Sequence, residues 1–449
     1  MRNVAIIAEN SVDYVRVFTE NLEREDTTVL IDWRLPDIKI VEIVKELKVE
    51  KLFCDPQVSA RLNNRGLNGI SITLLKKDEG ISPIPDDIIK KWESLGLNYS
   101  ENTAVILFSS GTTGAAKGVK LSYRAINNNS DSIIDYIDRD NVESILVSKT
   151  FSHSSTIVGE IIVALKLGLS IHIAPSITQP KTILDYIAFK KIDMYCINPS
   201  MLYLLLLTMK KSETVVNELH YLYVSGSRCS KDLLQKASSL FPQAHIHNVY
   251  GATEVGPRIT AQRSKYDTVG SVGTPIKNVE VEVVSESGML CENGDIGIVH
   301  VKTNSLMTGY SNCSEPRVSL YEGWYNTGDL GYKNKNGELF LVGRFDNMII
   351  SAGHNVFPET VEEVVEMIDS VNECMVYGNP DSMYGEKIVC LYSLRDKSLC
   401  ELSKEKMRAF CKNYLAPYEI PHDFICVESI EKTTGGKKKR KQSVNEAIS

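Results

Sequence analysis

The chain opens with a short apolar run, Val4-Ala5-Ile6-Ile7, set between polar residues, and the run predicts a buried strand. Tyr14, Phe18 and Leu22 then recur at i, i+4 and i+8 on one helical face, and Asn10 and Asp13 precede them with the spacing of a capping box. Apolar runs at 28–31 and 51–54 flank a second helical pattern at 38–47. This β-α-β-α-β rhythm predicts an α/β fold with a parallel sheet. A helix is expected over 85–95, with Pro85 suited to its first position. A strand at 104–109 runs into a glycine-rich turn, and further strands are read at 144–147, 170–173, 194–197, 221–224 and 244–249. From Val269 the pattern changes to β, with strands at 279–284, 297–302 and 338–342 between glycine and asparagine turns. After Arg344 comes a hairpin around 348–352, an acidic helix at 359–368, strands at 373–377 and 387–394, and a helix at 404–415. That last set suits a compact α+β domain of about a hundred residues.

Composition changes this picture little. A chain of 449 residues is long for one core and suits a large domain plus a smaller one. A net charge of −7 argues against a dedicated nucleic-acid binder. Ten cysteines are scattered singly, none in a CxxC pair, which is the usage of free thiols in a reducing cytoplasm. The opening apolar run is too short for a secretory leader. The most apolar later stretches, 201–207 and 161–174, are respectively short and broken by Lys166, so no membrane span is expected.

Five segments carry candidate chemistry. In Ser109-Ser110-Gly111-Thr112-Thr113-Gly114-Ala115-Ala116-Lys117-Gly118, three glycines free the backbone to aim N–H groups at an anion, and hydroxyls with one lysine complete a phosphate cradle. It is not a Walker A loop, and a plain surface turn is the competing reading. Tyr250-Gly251-Ala252-Thr253-Glu254 offers a ring for a planar base and a hard carboxylate for magnesium, or else an ordinary strand-end turn. Trp324-Tyr325-Asn326-Thr327-Gly328-Asp329-Leu330 holds a carboxylate able to accept two ribose hydroxyls, or an Asp-containing turn. Gly343-Arg344-Phe345-Asp346 and Ser351-Ala352-Gly353-His354-Asn355 fall where the pattern changes domain. Thr433-Thr434-Gly435-Gly436-Lys437-Lys438-Lys439-Arg440 taken alone is a solvated basic tail or a nucleic-acid or targeting patch.

Together, in this order and spacing, the five segments resemble the motifs of the adenylate-forming superfamily: acyl- and aryl-CoA ligases, adenylation domains of peptide synthetases, and luciferases. The likeness covers essentially the whole chain. It implies a large N-terminal adenylation domain, 1–343, of parallel α/β subdomains plus a distorted β-barrel-like subdomain. A small mobile α+β domain, 344–449, would follow. It also implies roles. Ser109, Ser110, Gly111, Thr112, Thr113, Gly114 and Lys117 would cradle the phosphates of ATP. Tyr250 and Ser225, Gly226 and Ser227 would flank adenine, and Gly251, Ala252 and Thr253 would also bind the nucleotide. Glu254, with Thr113, would hold Mg²⁺. Asp329 would hold the ribose, with Arg344 close by, and Lys437 would bridge the substrate carboxylate and the α-phosphate. Lys437, Lys117, Glu254 and His153 are the catalytic candidates. A carboxylate attacking the α-phosphorus brings two anions together, so cations and fixed donors are what the chemistry needs. A thiol, from coenzyme A or from the phosphopantetheine of a carrier protein, would then take the acyl group after rotation about Asp346 brings 351–355 to the site.

Departures from the family pattern qualify these expectations. The chain starts late against family members, and the surface this leaves would suit a homodimer. Ala116 replaces the usual proline, and Ala352 replaces a glycine common in thioester-forming members. No aspartate occurs in Thr150-Phe151-Ser152-His153-Ser154-Ser155 to hold an amino group, which favours a plain carboxylic acid over an amino acid. Phe151, His153, Ser154, Ser225, Gly226 and Gly251 are the candidate acid pocket.

Overall fold

The computed structural model describes residues 2–63, 65–67, 69–95, 99–109, 117–137, 141–210, 216–264, 267–311, 320–321, 323–396, 402–432 and 438–440. These fall into two compact units, the second gathering the described residues of 282–300 and from 326 onward.

The first unit contains two α/β sheets. One has the order Gly309–Tyr310, Lys117–Ser122, Thr103–Ser109, Thr27–Leu30, Asn3–Ile7, Lys51–Cys54, Ser71–Leu74. Its five strands from Thr103–Ser109 to Ser71–Leu74 run parallel, and the two before them are antiparallel. Ile7, Val29 and Leu52 are fully or almost fully buried, as unbroken β-branched and leucine runs dictate for a sheet covered on both faces. The other sheet has the order Thr274–Pro275, Thr260–Ala261, His245–Tyr250, Tyr221–Val224, Met194–Ile197, Ser144–Val147, Ser170–Ile173, Ser82–Pro83. The five strands from His245–Tyr250 to Ser170–Ile173 are parallel. Helices Pro180–Lys190, Pro199–Met209 and Lys231–Leu240 close over Leu202, Leu222 and Phe241 on its face. The short strands Ser71–Leu74, Ser82–Pro83, Thr260–Ala261 and Thr274–Pro275 escape a reading by pattern, because the first is exposed along its whole length and the other three are only two residues long.

Helix starts follow side-chain caps. Ser11, Asp55, Asn198 and Ser230 each accept a hydrogen bond from the backbone N–H three residues on. The first of these corrects the sequence reading. Ser11, not Asn10, caps the helix Val12–Glu23, and Asp13 instead accepts from Lys76 N at 2.9 Å. Asn10 is taken up elsewhere, as described below. The apolar helix Pro199–Met209 buries Leu202, Leu205 and Leu206 on one face and leaves Leu204 and Leu207 exposed, whereas the segment ending at Leu167 before left-handed Gly168 is a core element; no described helix is long and apolar enough to cross a membrane.

In the second unit the strand Leu339–Arg344 pairs antiparallel with Trp324–Lys333. A further sheet follows, in the order His354–Val356, Ile349–Ser351, Gly385–Leu394, Val371–Asp381, with Asp423–Cys426 parallel to Gly385–Leu394. Helices Pro358–Glu366 and Lys404–Cys411 pack on it around Val365, Val376 and Met407. The large α/β part and smaller α+β part therefore stand as the alternating pattern predicts.

Candidate active site

Parallel strands concentrate function at their carboxyl ends, where loops converge. Four adjacent strands of the second sheet, ending at Val147, Ile197, Val224 and Tyr250, release on one edge the segments that contain Thr150–Ser155, Ser225–Ser227 and Gly251–Glu254. Tertiary contacts join them. Thr253 and Ser154 share a hydrogen bond between hydroxyls at 2.9 Å. Phe151 N donates to Asn10 Oδ1 at 3.0 Å, and Asn10 Nδ2 donates to Lys149 O at 2.9 Å. Asn10 thus leaves the first strand of one sheet to clamp the loop of the other, which is why it does not cap its helix. Arg34, paired with Asp32 at 2.7 Å, donates to Thr150 Oγ1 at 3.1 Å. His153 begins the short helical turn after this loop.

Gly251 has no room for a side chain: a Cβ there would stand 1.6 Å from Pro257 O. The backbone closes tightly beneath Tyr250, which is buried at the strand end. A 3₁₀ turn, Thr253–Val255, then presents Glu254. One oxygen of Glu254 accepts from the Tyr310 hydroxyl at 3.2 Å. The ammonium of Lys117 lies 5.4 Å from the centre of the same ring, a cation–π contact. The strand Gly309–Tyr310, which pairs with Lys117–Ser122, makes this meeting possible. Tyr310 therefore links the lysine of the first motif to the carboxylate of the second. The other oxygen of Glu254 has no protein partner among the described residues, which suits a magnesium ion that takes one carboxylate and fills its remaining positions with water and phosphate. Ser110, Gly111, Thr112, Thr113, Gly114 and Ala116 lie outside the described residues, as does Lys437.

Ser225 is buried and Gly226 takes φ +96°, a left-handed turn that glycine adopts freely. Ser227 is exposed. The Ser225 hydroxyl accepts from Lys149 Nζ at 3.0 Å. Lys149 gave no signal in the sequence, since it belongs to no motif.

In the second unit Asp329 stands opposite Arg344 in register, and Arg344 Nη1 donates to Asp329 Oδ1 at 3.0 Å and to Thr327 O at 2.8 Å. A Cβ on Gly328 would come within 2.9 Å of Arg344 Nη2, so the glycine lets the guanidinium fold over the turn. Asp346 is exposed in the 3₁₀ turn Phe345–Asn347. Ala352 adopts φ +50° at the hairpin tip, a conformation that costs a residue with a Cβ but not the glycine usual there.

The basic segment is not a solvated tail. Lys438 Nζ donates to Glu362 Oε2 at 2.8 Å and Glu366 Oε1 at 2.9 Å. Arg440 reaches Glu362 Oε1 at 2.6 Å and Glu359 Oε1 at 3.1 Å. The two cations hold the Glu362 carboxyl below its ordinary range against the effect of burial. The acidic helix Pro358–Glu366 is thus the clasp for the residues that follow Lys437. Charge complementarity between two distant segments was the available signal, and the run of lysines concealed it.

A parallel α/β scaffold with nucleotide-type loops on one edge defines a nucleotide-using enzyme. Residues 2–311 match the model for "AMP-binding enzyme" and 360–437 that for "AMP-binding enzyme C-terminal domain". The chain belongs to the AMP-binding enzyme family. It is 27% identical over 450 residues to a 2-succinylbenzoate–CoA ligase of Lactococcus lactis, covering 98% of this chain and 89% of that one. It is 27% identical over 358 residues to a long-chain-fatty-acid–CoA ligase of Bacillus subtilis, covering 78% of this chain and 63% of that one. Among solved structures, the o-succinylbenzoate CoA synthetase of Bacillus subtilis in complex with its acyl-adenylate intermediate superimposes with a TM-score of 0.83 at 21% identity, covering 98% of this chain and 88% of that one.

Proposed function

We propose that this AMP-binding enzyme activates a carboxylic acid as its acyl-adenylate, releasing pyrophosphate from ATP, and passes the acyl group to coenzyme A. The observation that carries this reading is the chain Lys117–Tyr310–Glu254, in which the lysine lies over the ring and the carboxylate accepts from the hydroxyl of the same tyrosine. Lys117 meets phosphate charge, Tyr250 and the backbone about Gly251 receive the base, and Asp329 takes the ribose hydroxyls. Magnesium at Glu254 and Thr113 supplies charge neutralisation of the phosphates. Lys437 is the proposed cation for the α-phosphate, and the residues that follow it, Lys438 and Arg440, are anchored within the smaller unit on Glu359, Glu362 and Glu366. The smaller domain begins near Arg344 and turns about Asp346, alternating Lys437 with 351–355 at the reacting centre. The absence of an aspartate in 150–155 supports a plain acid as substrate. Relatives that are CoA ligases support coenzyme A as acceptor. The described cysteines are all free thiols, which supports a cytoplasmic enzyme.

The test is pyrophosphate release from ATP and Mg²⁺ across fatty, short-chain, dicarboxylic, aryl and amino acids, with and without coenzyme A. Release that one acid class stimulates and coenzyme A accelerates is expected, and Lys437→Ala should lower ATP–pyrophosphate exchange by roughly a hundredfold or more. Binding of ATP with no acid-dependent exchange would sink the reading. Exchange without coenzyme A turnover would make a carrier protein the acceptor.

A further inference from the structure

The loop that carries Phe151, His153 and Ser154 of the candidate acid pocket takes its shape from the other sheet. It leaves the strand Ser144–Val147, whose parallel pairing with Ser170–Ile173 ends at Val147 and Ile173. Past that point the ladder no longer supplies partners. Phe151 and Ala174 are fully buried, so the Phe151 N–H and the Ala174 carbonyl cannot turn to water instead. Within the loop, His153 N donates to Thr150 O at 3.2 Å and closes a turn, so whatever fixes Thr150 and Phe151 also fixes His153.

Asn10 supplies the missing partners. It lies just past the carboxyl end of the strand Asn3–Ile7 and is 1% exposed. Its Nδ2 donates to Lys149 O at 2.9 Å and to Ala174 O at 3.4 Å, and its Oδ1 accepts from Phe151 N at 3.0 Å. One side-chain amide thus offers the donor and the acceptor that a further strand would offer. Arg34 holds the next residue: its Nη2 donates to Thr150 Oγ1 at 3.1 Å. The guanidinium is itself locked on Asp32, with Nε to Oδ1 at 2.9 Å and Nη2 to Oδ2 at 2.7 Å. Tyr14 sets its ring edgewise to that of Phe151, with centroids 5.1 Å apart. Backbone, hydroxyl and ring of one short loop are therefore all held by residues of the first sheet and its first helix. The adenine side has supports of its own. Ser225 N donates to Ile197 O at 2.9 Å, and Gly251 closes against Pro257.

Resting on the proposed function, we propose that Asn10 and Arg34 are positioning residues of the acid pocket: they act on the acid through the turn at 150–153, by fixing where Phe151, His153 and Ser154 stand. An amide engaged at both ends has one orientation. Removing it leaves buried backbone groups at Lys149, Phe151 and Ala174 without partners, and the loop recovers them only by moving. A pocket tells one acid from the next by the fit of its walls, and a displacement of about 1 Å is enough to lose that fit. Selectivity for the acid is then set from the first sheet, while nucleotide binding is not.

The test is ATP–pyrophosphate exchange by the full-length chain across homologous series of straight-chain monocarboxylic acids and ring-substituted benzoic acids. N10A should raise KM for the best acid about 10-fold and change KM for ATP by less than about threefold. The preference between neighbouring members of the series, about 10-fold or more in the unsubstituted chain, should fall toward one. N10D keeps the shape and the acceptor for Phe151 N but has no donor for Lys149 O and Ala174 O, and should behave as N10A does. T150V removes only the hydroxyl that Arg34 holds and should give the same signature at about threefold. KM and selectivity do not depend on the fraction of molecules folded, so lost protein cannot imitate the effect. If circular dichroism shows N10A unfolded, T150V decides by the same signature. A variant that lowers kcat with acid KM and selectivity intact overturns the inference, because the tether is then only structural. Equal rises in KM for acid and ATP overturn it as well. Exchange with no acid of any class by the unsubstituted chain overturns the proposed function too.

Discussion

Two buried charge clusters in this chain are built differently. At the helix Pro358–Glu366, Lys438 and Arg440 meet Glu359, Glu362 and Glu366, and each cation touches two carboxylates. Around Ile157–Ile162, Lys149 pairs with Glu160 at 2.7 Å, Arg258 acts on the same carboxylate through its charge alone, and the carboxylate oxygens are short of hydrogen bonds. Burial raises the Glu160 carboxyl above its ordinary range despite Lys149, whereas the cations hold Glu362 below it despite burial. A balanced cluster fastens one segment to another. The cluster at Glu160 instead keeps a wholly buried carboxylate under a desolvation penalty that Lys149 offsets only in part.

The largest expected effect breaks the balanced cluster. Glu362→Ala removes the buried carboxylate that Lys438 and Arg440 share, leaving each with one partner, and should cost about 3–5 kcal/mol in urea unfolding of the smaller unit, with adenylation lost alongside as the residues after Lys437 come free. A change below about 1 kcal/mol would mean that the clasp is not a source of stability. The next effect is acid sensitivity, and here the clusters should differ in sign. Glu362, its pKa lowered on folding, contributes stability that is complete above the ordinary glutamate range and is lost as pH falls through the lowered value. Glu160, its pKa raised, disfavours the folded state as pH climbs from the ordinary value of 4.5. Stability against pH in Glu362→Gln should lose its acid limb, while Glu160→Gln should not. A smaller effect sharpens the contrast. Arg258→Met removes a buried cation that has no ion pair among the described residues and should leave urea stability unchanged or raise it by about 1–2 kcal/mol. A loss of similar size would show that Arg258 is compensated within the fold. The exposed pair Lys236–Asp232 is the control: Lys236→Ala should move stability by no more than about 0.5 kcal/mol.

How much of the site could be read in advance differs along the same line. Lys117, Glu254, Asp329 and Arg344 could be singled out as candidates because each sits in a short segment whose neighbours fix its backbone, as Gly251 and Gly328 do at their close approaches. Tyr310, Asn10, Lys149, Glu160 and Arg258 could not. Each stands among unremarkable neighbours, and each acquires its partner through strand order or a turn that periodicity does not encode. The same limit explains the cap at Ser11: local spacing favoured Asn10, and a loop from the other sheet claimed it.

The amino-acid pattern alone determined the alternation of strands and helices, the change to β and then α+β texture, and the order of the five motifs. Those are local properties: burial periodicity, turn chemistry and the few backbone shapes that glycine permits. Only tertiary structure decided which charges meet. It threaded Tyr310 between Lys117 and Glu254, turned a run of lysines into the counterpart of an acidic helix, and left Arg258 buried without a carboxylate of its own. An ion pair depends on distance and on exclusion of water, and in a chain neither exists until the segments that carry the charges have packed.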